Sequence, residues 1–232
     1  MIRSICLGTL LLLTPAIQAD DKPEIILKTT KQKASYGIGL NIGRQMASQG
    51  LEVDPKALTA GIADMLASKE PRISTADLQA AMTAFQEELA TRAKAMAAEN
   101  GKKAVAFLAK NAKEEGVKQT KSGLQYKILI EGEGKMPTVA NTVSAHYRGK
   151  LLDGTVFDES YKGEKPTVVD KPTPFPLNGV IAGWTEALQL MKTGTSCRLF
   201  IPPALAYGEA GRPGIPPNSL LIFDIELVNI KK

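Results

Sequence analysis

The sequence predicts an α+β protein: an all-α N-terminal half, one long connecting helix, and a C-terminal antiparallel β-sheet wrapped on a short helix. Three observations carry this. Apolar residues recur at helical spacing from Tyr36 to Leu89. No proline interrupts residues 75–115, where Ala, Lys, Glu, Gln and Leu dominate. From Gly123 onward Gly and Pro become frequent, and short β-branched runs alternate with turn residues.

The N-terminus reads as a secretory signal over residues 1–19. Arg3 supplies a positive start, residues 7–13 an apolar run, and Ala16-Ile17-Gln18-Ala19 a cleavage region before Asp20. The run is too short to span a bilayer, and no later segment reaches the roughly 18 apolar residues of a membrane helix. Export is therefore expected, most simply to the periplasm, with cell-surface or outer-membrane association left open. Residues 20–30 form a polar leader.

From Lys31 a helix carries Tyr36, Ile38, Leu40, Ile42 and Met46. Gly37, Gly39 and Gly43 lie inside it. Each costs about 1 kcal/mol relative to Ala, so they predict either a weak, frayed helix or, the favoured reading, close backbone contact with another element. Gly50 suits a helix stop, Asp54 an N-cap and Pro55 a first helical residue. The second helix carries Leu58, Ile62, Met65 and Leu66. Ser74, with Asp77 at capping-box distance, opens a third. Some forty residues of helix would span about 60 Å. Its apolar stripe (Leu78, Met82, Phe85, Leu89) thins beyond Met96. The first half is expected to pack on other helices and the second to be a largely solvated stalk, bent or weakened at Asn100-Gly101.

In the C-terminal half, strands are expected at residues 126–130, 142–151, 155–157, 195–201 and 220–230, with Asp153-Gly154 a hairpin turn. Residues 180–191 form the single helix-like stretch. The divisions follow: helical assembly domain 31–73, connecting helix 74–116, linker 117–122, and sheet domain 123–232.

The chain has a formal net charge of +5, of which the signal segment holds only Arg3. Its lysines beyond residue 90 alternate with Glu and Ala, a solvated helix face and no nucleic-acid stripe. Beyond the signal, Cys197 is the only cysteine and His146 the only histidine. One thiol closes no intramolecular disulfide. No zinc site, cysteine-protease set, phosphate loop or cofactor motif is expected. Cys197, in a strand-like run, reads as a buried inert thiol.

What stands out is aromatic residues beside Gly and Pro. Six ordered strings contain them: His146-Tyr147-Arg148-Gly149, Asp153-Gly154-Thr155-Val156-Phe157-Asp158, Val180-Ile181-Ala182-Gly183-Trp184, Ala206-Tyr207-Gly208, Pro213-Gly214-Ile215-Pro216-Pro217-Asn218 and Ile222-Phe223-Asp224-Ile225-Glu226-Leu227. Over about residues 120–232 the chain resembles the FKBP-type peptidyl-prolyl cis-trans isomerases. Ser35-Tyr36-Gly37-Ile38-Gly39, Gly43, Gln49-Gly50-Leu51-Glu52-Val53-Asp54-Pro55, Ala57-Leu58 and Gly61 resemble the helical domain of the macrophage infectivity potentiator branch.

The resemblance implies an FKBP-like sheet and a V-shaped homodimer joined through the N-terminal helices. It implies isomerisation of X–Pro bonds in exported proteins, with unfolded or prolyl-containing chains and macrolide inhibitors such as rapamycin as partners. It also implies a pocket. Trp184 forms the floor, and Tyr147, Phe157 and Phe223 the walls. The Ile181 N–H and the Tyr207 hydroxyl bind ligand carbonyls. Val180, Phe175 and Ile215 line the substrate side. Asp158 is the charged member, either a polar partner for Tyr147 or the substrate carbonyl, or a carboxylate that fixes a loop. Residues 167–172 look inserted, which leaves the place of Phe175 open, and Arg212 receives no role. A non-catalytic chaperone that grips prolyl segments is the alternative.

Overall fold

The computed structural model describes residues 26–48 and 50–231. The signal segment and the first part of the leader lie outside the described residues. The chain separates into two compact units at the Arg44–Gln45 bond.

The first unit contains most of helix α1 (Thr30–Ser48). Thr29 and Gln32 start it as a capping box: the Gln32 N–H donates to Thr29 Oγ1 at 3.2 Å, and Gln32 Oε1 accepts from the Thr29 N–H at 2.9 Å. Tyr36 and Leu40 are each 48% exposed. Within this unit nothing lies within 4 Å of where a Cβ on Gly37, Gly39 or Gly43 would stand. The close contact expected of these glycines is therefore not made inside the unit.

The second unit opens with the end of α1. Gly50 stops that helix at φ +67°, its N–H donating to the Ala47 carbonyl and the Leu51 N–H to Met46. Helix α2 (Pro55–Leu66) starts at Asp54, whose carboxylate accepts from the N–H groups of Lys56 and Ala57. Helix α3 (Thr75–Asn111) starts at Ser74, which accepts from the Asp77 N–H and donates to the Asp77 carboxylate.

The sheet has seven antiparallel strands: β1 (Val117–Gln119), β2 (Gln125–Ile130), β3 (Thr142–Lys150), β4 (Val156–Glu159), β5 (Thr173–Pro176), β6 (Ser196–Ile201) and β7 (Leu221–Lys231). The order is β1-β2-β6-β7-β3-β4, and β5 pairs with β3. Helix α4 (Ala182–Leu188) packs on one face. There Leu124, Val143, Leu188, Leu199, Ile201, Leu221 and Leu227 are fully buried or nearly so, and form the core.

Two strands escape the sequence reading. β1 falls within the expected linker and pairs with β2. β5 holds Pro174 and Pro176, which lack amide donors. An edge position against the first half of β3 tolerates them, with Phe175 opposite Val143.

The stalk expectation is corrected as well. Helix α3 runs unbroken through Asn100 and Gly101, and its last four turns pack on the sheet domain. Ala104 is 2% and Asn111 8% exposed. Phe107 meets Phe200 with ring centroids 5.7 Å apart. Asn111 Nδ2 donates to Gln125 Oε1 at 2.8 Å, and Gln125 Nε2 to the Leu108 carbonyl at 3.0 Å. A Cβ on Gly101 would stand 2.6 Å from Asn218 Nδ2, so glycine makes room for that side chain. Apart from Phe107, small and amide side chains make this contact, which is why an apolar count misses it.

Candidate active site

The site is built on one aromatic, Trp184, seated by two close approaches of backbone. Gly183 lets α4 lie against β6: a Cβ there would be 2.5 Å from Ile201 Cγ2. Thr185 Oγ1 donates to the Leu177 carbonyl at 2.7 Å and ties the helix to the turn before it. Trp184 is thereby held 4% exposed.

Three rings surround it edge to face. The centroids of Tyr147, Phe175 and Phe223 lie 5.3, 5.1 and 5.1 Å from that of Trp184, at interplanar angles of 80, 80 and 78°. Phe157 stands against Phe223 at 5.5 Å and 88°. Such pairs set positive ring edges against negative faces, each worth about 0.5–1.5 kcal/mol beyond area burial. Gly149 on β3 makes the arrangement possible. A Cβ there would lie 2.5 Å from Phe157 Cζ and 2.6 Å from Phe223 Cε1.

Phe175 belongs to this group despite the long connection before it. Pairing of β5 with β3 brings it back to Tyr147 at 5.5 Å. Residues 167–172 instead project from the sheet: Val168 and Val169 are fully exposed or nearly so, and Asp170 closes a turn by accepting from the Thr167 N–H.

Val180, Ile181 and Tyr207, all half-buried, pack against the same core, of which Ile215 is a buried member. Ile181 is the N-cap of α4, and its N–H meets no acceptor among the described residues. The Trp184 Nε1–H is buried without a partner as well. Asp158, on β4 opposite Gly149, is exposed. The Tyr147 hydroxyl is pushed up to about 12, first by burial and then by the Asp158 carboxylate. That phenol stays a neutral donor at ordinary pH. Tyr147, Phe157, Phe175, Val180, Ile181, Trp184, Tyr207, Ile215 and Phe223 thus share one apolar cluster, and Asp158 joins them only through its effect on Tyr147.

Two contributors were missed. Gly149 carries no side-chain signal. Arg212 sets its guanidinium carbon 4.6 Å from the Tyr207 ring centroid. Its signal, a lone cation between Gly211 and Pro213, is weak in a single sequence.

Comparison with known proteins gives the family. Residues 133–228 match the family described as FKBP-type peptidyl-prolyl cis-trans isomerase, and residues 31–128 the domain amino terminal to it. The FKBP-type 22 kDa peptidyl-prolyl cis-trans isomerase of Escherichia coli is 46% identical over 209 residues, covering 87% of this chain and 96% of that protein. This chain belongs to the FKBP-type peptidyl-prolyl cis-trans isomerases. The peptidyl-prolyl cis-trans isomerase Mip of Coxiella burnetii is 39% identical over 211 residues, or 89% of each chain. The crystal structure of FkpA from Escherichia coli aligns with a TM-score of 0.60 at 38% identity, covering 89% of this chain and 99% of that one. As a member of this family the protein is an isomerase, and the described residues contain no helix long and apolar enough to cross a membrane.

Proposed function

We propose that the isomerase works by binding the twisted X–Pro amide over Trp184, within the rings of Tyr147, Phe157, Phe175 and Phe223. An X–Pro bond turns against a barrier of about 18–20 kcal/mol set by amide resonance. Uncatalysed exchange takes tens to hundreds of seconds. At the perpendicular geometry resonance is lost and the amide dipole shrinks. An apolar site therefore favours the twisted amide over the planar one, and each 1.4 kcal/mol of that difference is about tenfold in rate. No nucleophile is required. The Tyr207 hydroxyl and the Ile181 N–H bind carbonyls on either side of the proline, while Val180 and Ile215 confine the ring. Burial first, and the Asp158 carboxylate second, hold Tyr147 as a neutral phenol. The single observation that carries this reading is the edge-to-face enclosure of Trp184 by three rings.

The helical part serves assembly in this proposal. Residues 31–73 form the homodimer with a second copy, and residues 74–116 join them to the isomerase domain at 123–232, with β1 inside the expected linker 117–122 already part of its sheet. The exposed Tyr36, Ile38 and Leu40 on α1 and Met65 and Leu66 on α2 support it, since monomeric proteins seldom leave such faces open. A second chain would also supply the close contact that Gly37, Gly39 and Gly43 invite. A V-shaped dimer of exported chains would grip unfolded clients at two sites, adding chaperone activity through avidity.

A protease-free assay on a prolyl tetrapeptide tests the site. Wild type should accelerate exchange, rapamycin should abolish the effect, and Asp158→Ala and Tyr207→Phe should each lower kcat/KM about tenfold. Unchanged rates in both variants would remove the pocket reading. Light scattering of the chain without residues 1–19 tests assembly; a monomer at micromolar concentration removes the dimer.

A further inference from the structure

Arg212 stacks its guanidinium on Tyr207 at the proposed pocket. Its backbone is fixed by a tight hairpin: the Arg212 N–H donates to the Ile215 carbonyl at 3.0 Å, and the Ile215 N–H returns to Arg212 at 2.8 Å. Gly211 permits this turn, with φ +64° and only 2.5 Å between a would-be Cβ and the Ile215 oxygen. Ile215, at the other end of the hairpin, is 3% exposed in the core beneath the aromatic set. Arg212 itself is exposed, and its guanidinium lies over the Tyr207 ring.

Arg212 joins none of the ion pairs among the described residues. A cation over a tyrosine face uses one face of its own plane and leaves its N–H edge open to a further acceptor. Its positive charge is felt at the Tyr147 hydroxyl, against the effect of Asp158. The rim therefore carries a fixed cation on the Tyr207 side and a carboxylate by Tyr147.

We infer that Arg212 is a specificity-determining residue that favours substrates with an acidic side chain next to the proline. The proline ring enters the aromatic enclosure, so its chain neighbours leave across the rim. A Glu or Asp that emerges past Tyr207 meets an open guanidinium edge, suited to a carboxylate. The pair is solvent-exposed, so its effect is small and screened by salt. This inference rests on the pocket reading given above.

The test uses the full chain, Arg212→Met and Trp184→Leu, with tetrapeptides that carry Glu, Gln or Lys directly before or directly after the proline. In wild type at low salt the ratio of kcat/KM for Glu over Gln should exceed that of Arg212→Met by about threefold in at least one series. Lys peptides should shift the opposite way, and added salt at about 0.5 M should erase both differences. Glu:Gln ratios identical in wild type and Arg212→Met in both series would overturn the inference. A uniform drop across all peptides would also overturn it, since it would mark Arg212 as a support for Tyr207 alone. Trp184→Leu separates this failure from that of the pocket: if it leaves every rate at the wild-type value, the aromatic site is wrong and the inference falls with it.

Discussion

The Asn100 side-chain amide donates to the Pro217 carbonyl at 2.8 Å, across 117 residues of sequence. Asn218 returns the contact through Nδ2 to the Ala97 carbonyl at 3.0 Å. Helix α3 therefore grips the far end of the loop that bears Arg212 and Ile215. Asn100→Ala leaves the Pro217 carbonyl, in a half-buried site, without this donor. It should lower stability by about 1 kcal/mol, read as a shift in denaturant midpoint. Amide exchange should rise first across residues 210–218.

Gly101 makes the same contact testable from the other side. In an ordinary helix interior Gly→Ala stabilises by about 1 kcal/mol. Here the added Cβ would meet Asn218 Nδ2 at 2.6 Å. Gly101→Ala should therefore fail to stabilise and should break the Asn218–Ala97 bond. A clear rise in melting temperature would show that the helix and loop do not touch.

Gly149 is the tightest position of the aromatic site. Two ring atoms stand within 2.6 Å of its would-be Cβ, one from Phe157 and one from Phe223. Neither ring can yield without opening its contact with the other, or that of Phe223 with Trp184. Overpacking of this kind costs about 1–3 kcal/mol. Gly149→Ala should cut kcat/KM at least about tenfold on a prolyl tetrapeptide while far-UV circular dichroism stays native.

Much of this was legible in sequence, and the exceptions share a cause. Trp184, Tyr147, Phe157 and Phe223 sit in ordered strings of unmistakable composition, and the caps at Asp54 and Ser74 follow from local hydrogen-bond chemistry. The seat of α3 on the sheet did not show, because Asn100, Gly101, Ala104 and Asn111 hold it with amides and small residues rather than a leucine stripe. β5 did not show because Pro174 and Pro176 argue against a strand unless it lies on an edge. Arg212 acts by stacking on Tyr207 and Gly149 by leaving room for Phe157 and Phe223, and single-sequence patterns do not report such pairs.

Tyr147 contributes to the alkaline limb of stability. Its hydroxyl is raised from the usual 10 to about 12, with burial the leading cause. A folded-state value above the unfolded one contributes stability that is complete below about pH 10 and is lost as pH rises toward 12. Wild type should thus lose stability over that window, and Tyr147→Phe should lose less. Phenolate absorbance should show Tyr147 titrating late, with Tyr161 also raised by its burial, until the chain unfolds. Between about pH 6 and 9 the rate should carry no inflection from this group.

Cys197 offers a probe that touches no function. Its side chain is 0% exposed in the core, between Ile128 of β2 and Ile225 of β7 in the sheet register. Burial pushes the thiol up to about 12, so almost no thiolate exists at neutral pH. Thiolate is the reactive form, so both access and ionisation must await opening of the sheet. Labelling by a disulfide reagent should be negligible in the native protein. In denaturant it should follow the global unfolding transition seen by the fluorescence of Trp184, the only tryptophan. Rapid labelling under native conditions, before any change in that fluorescence, would mean that β6 opens locally and that the core around Trp184 is less continuous than described.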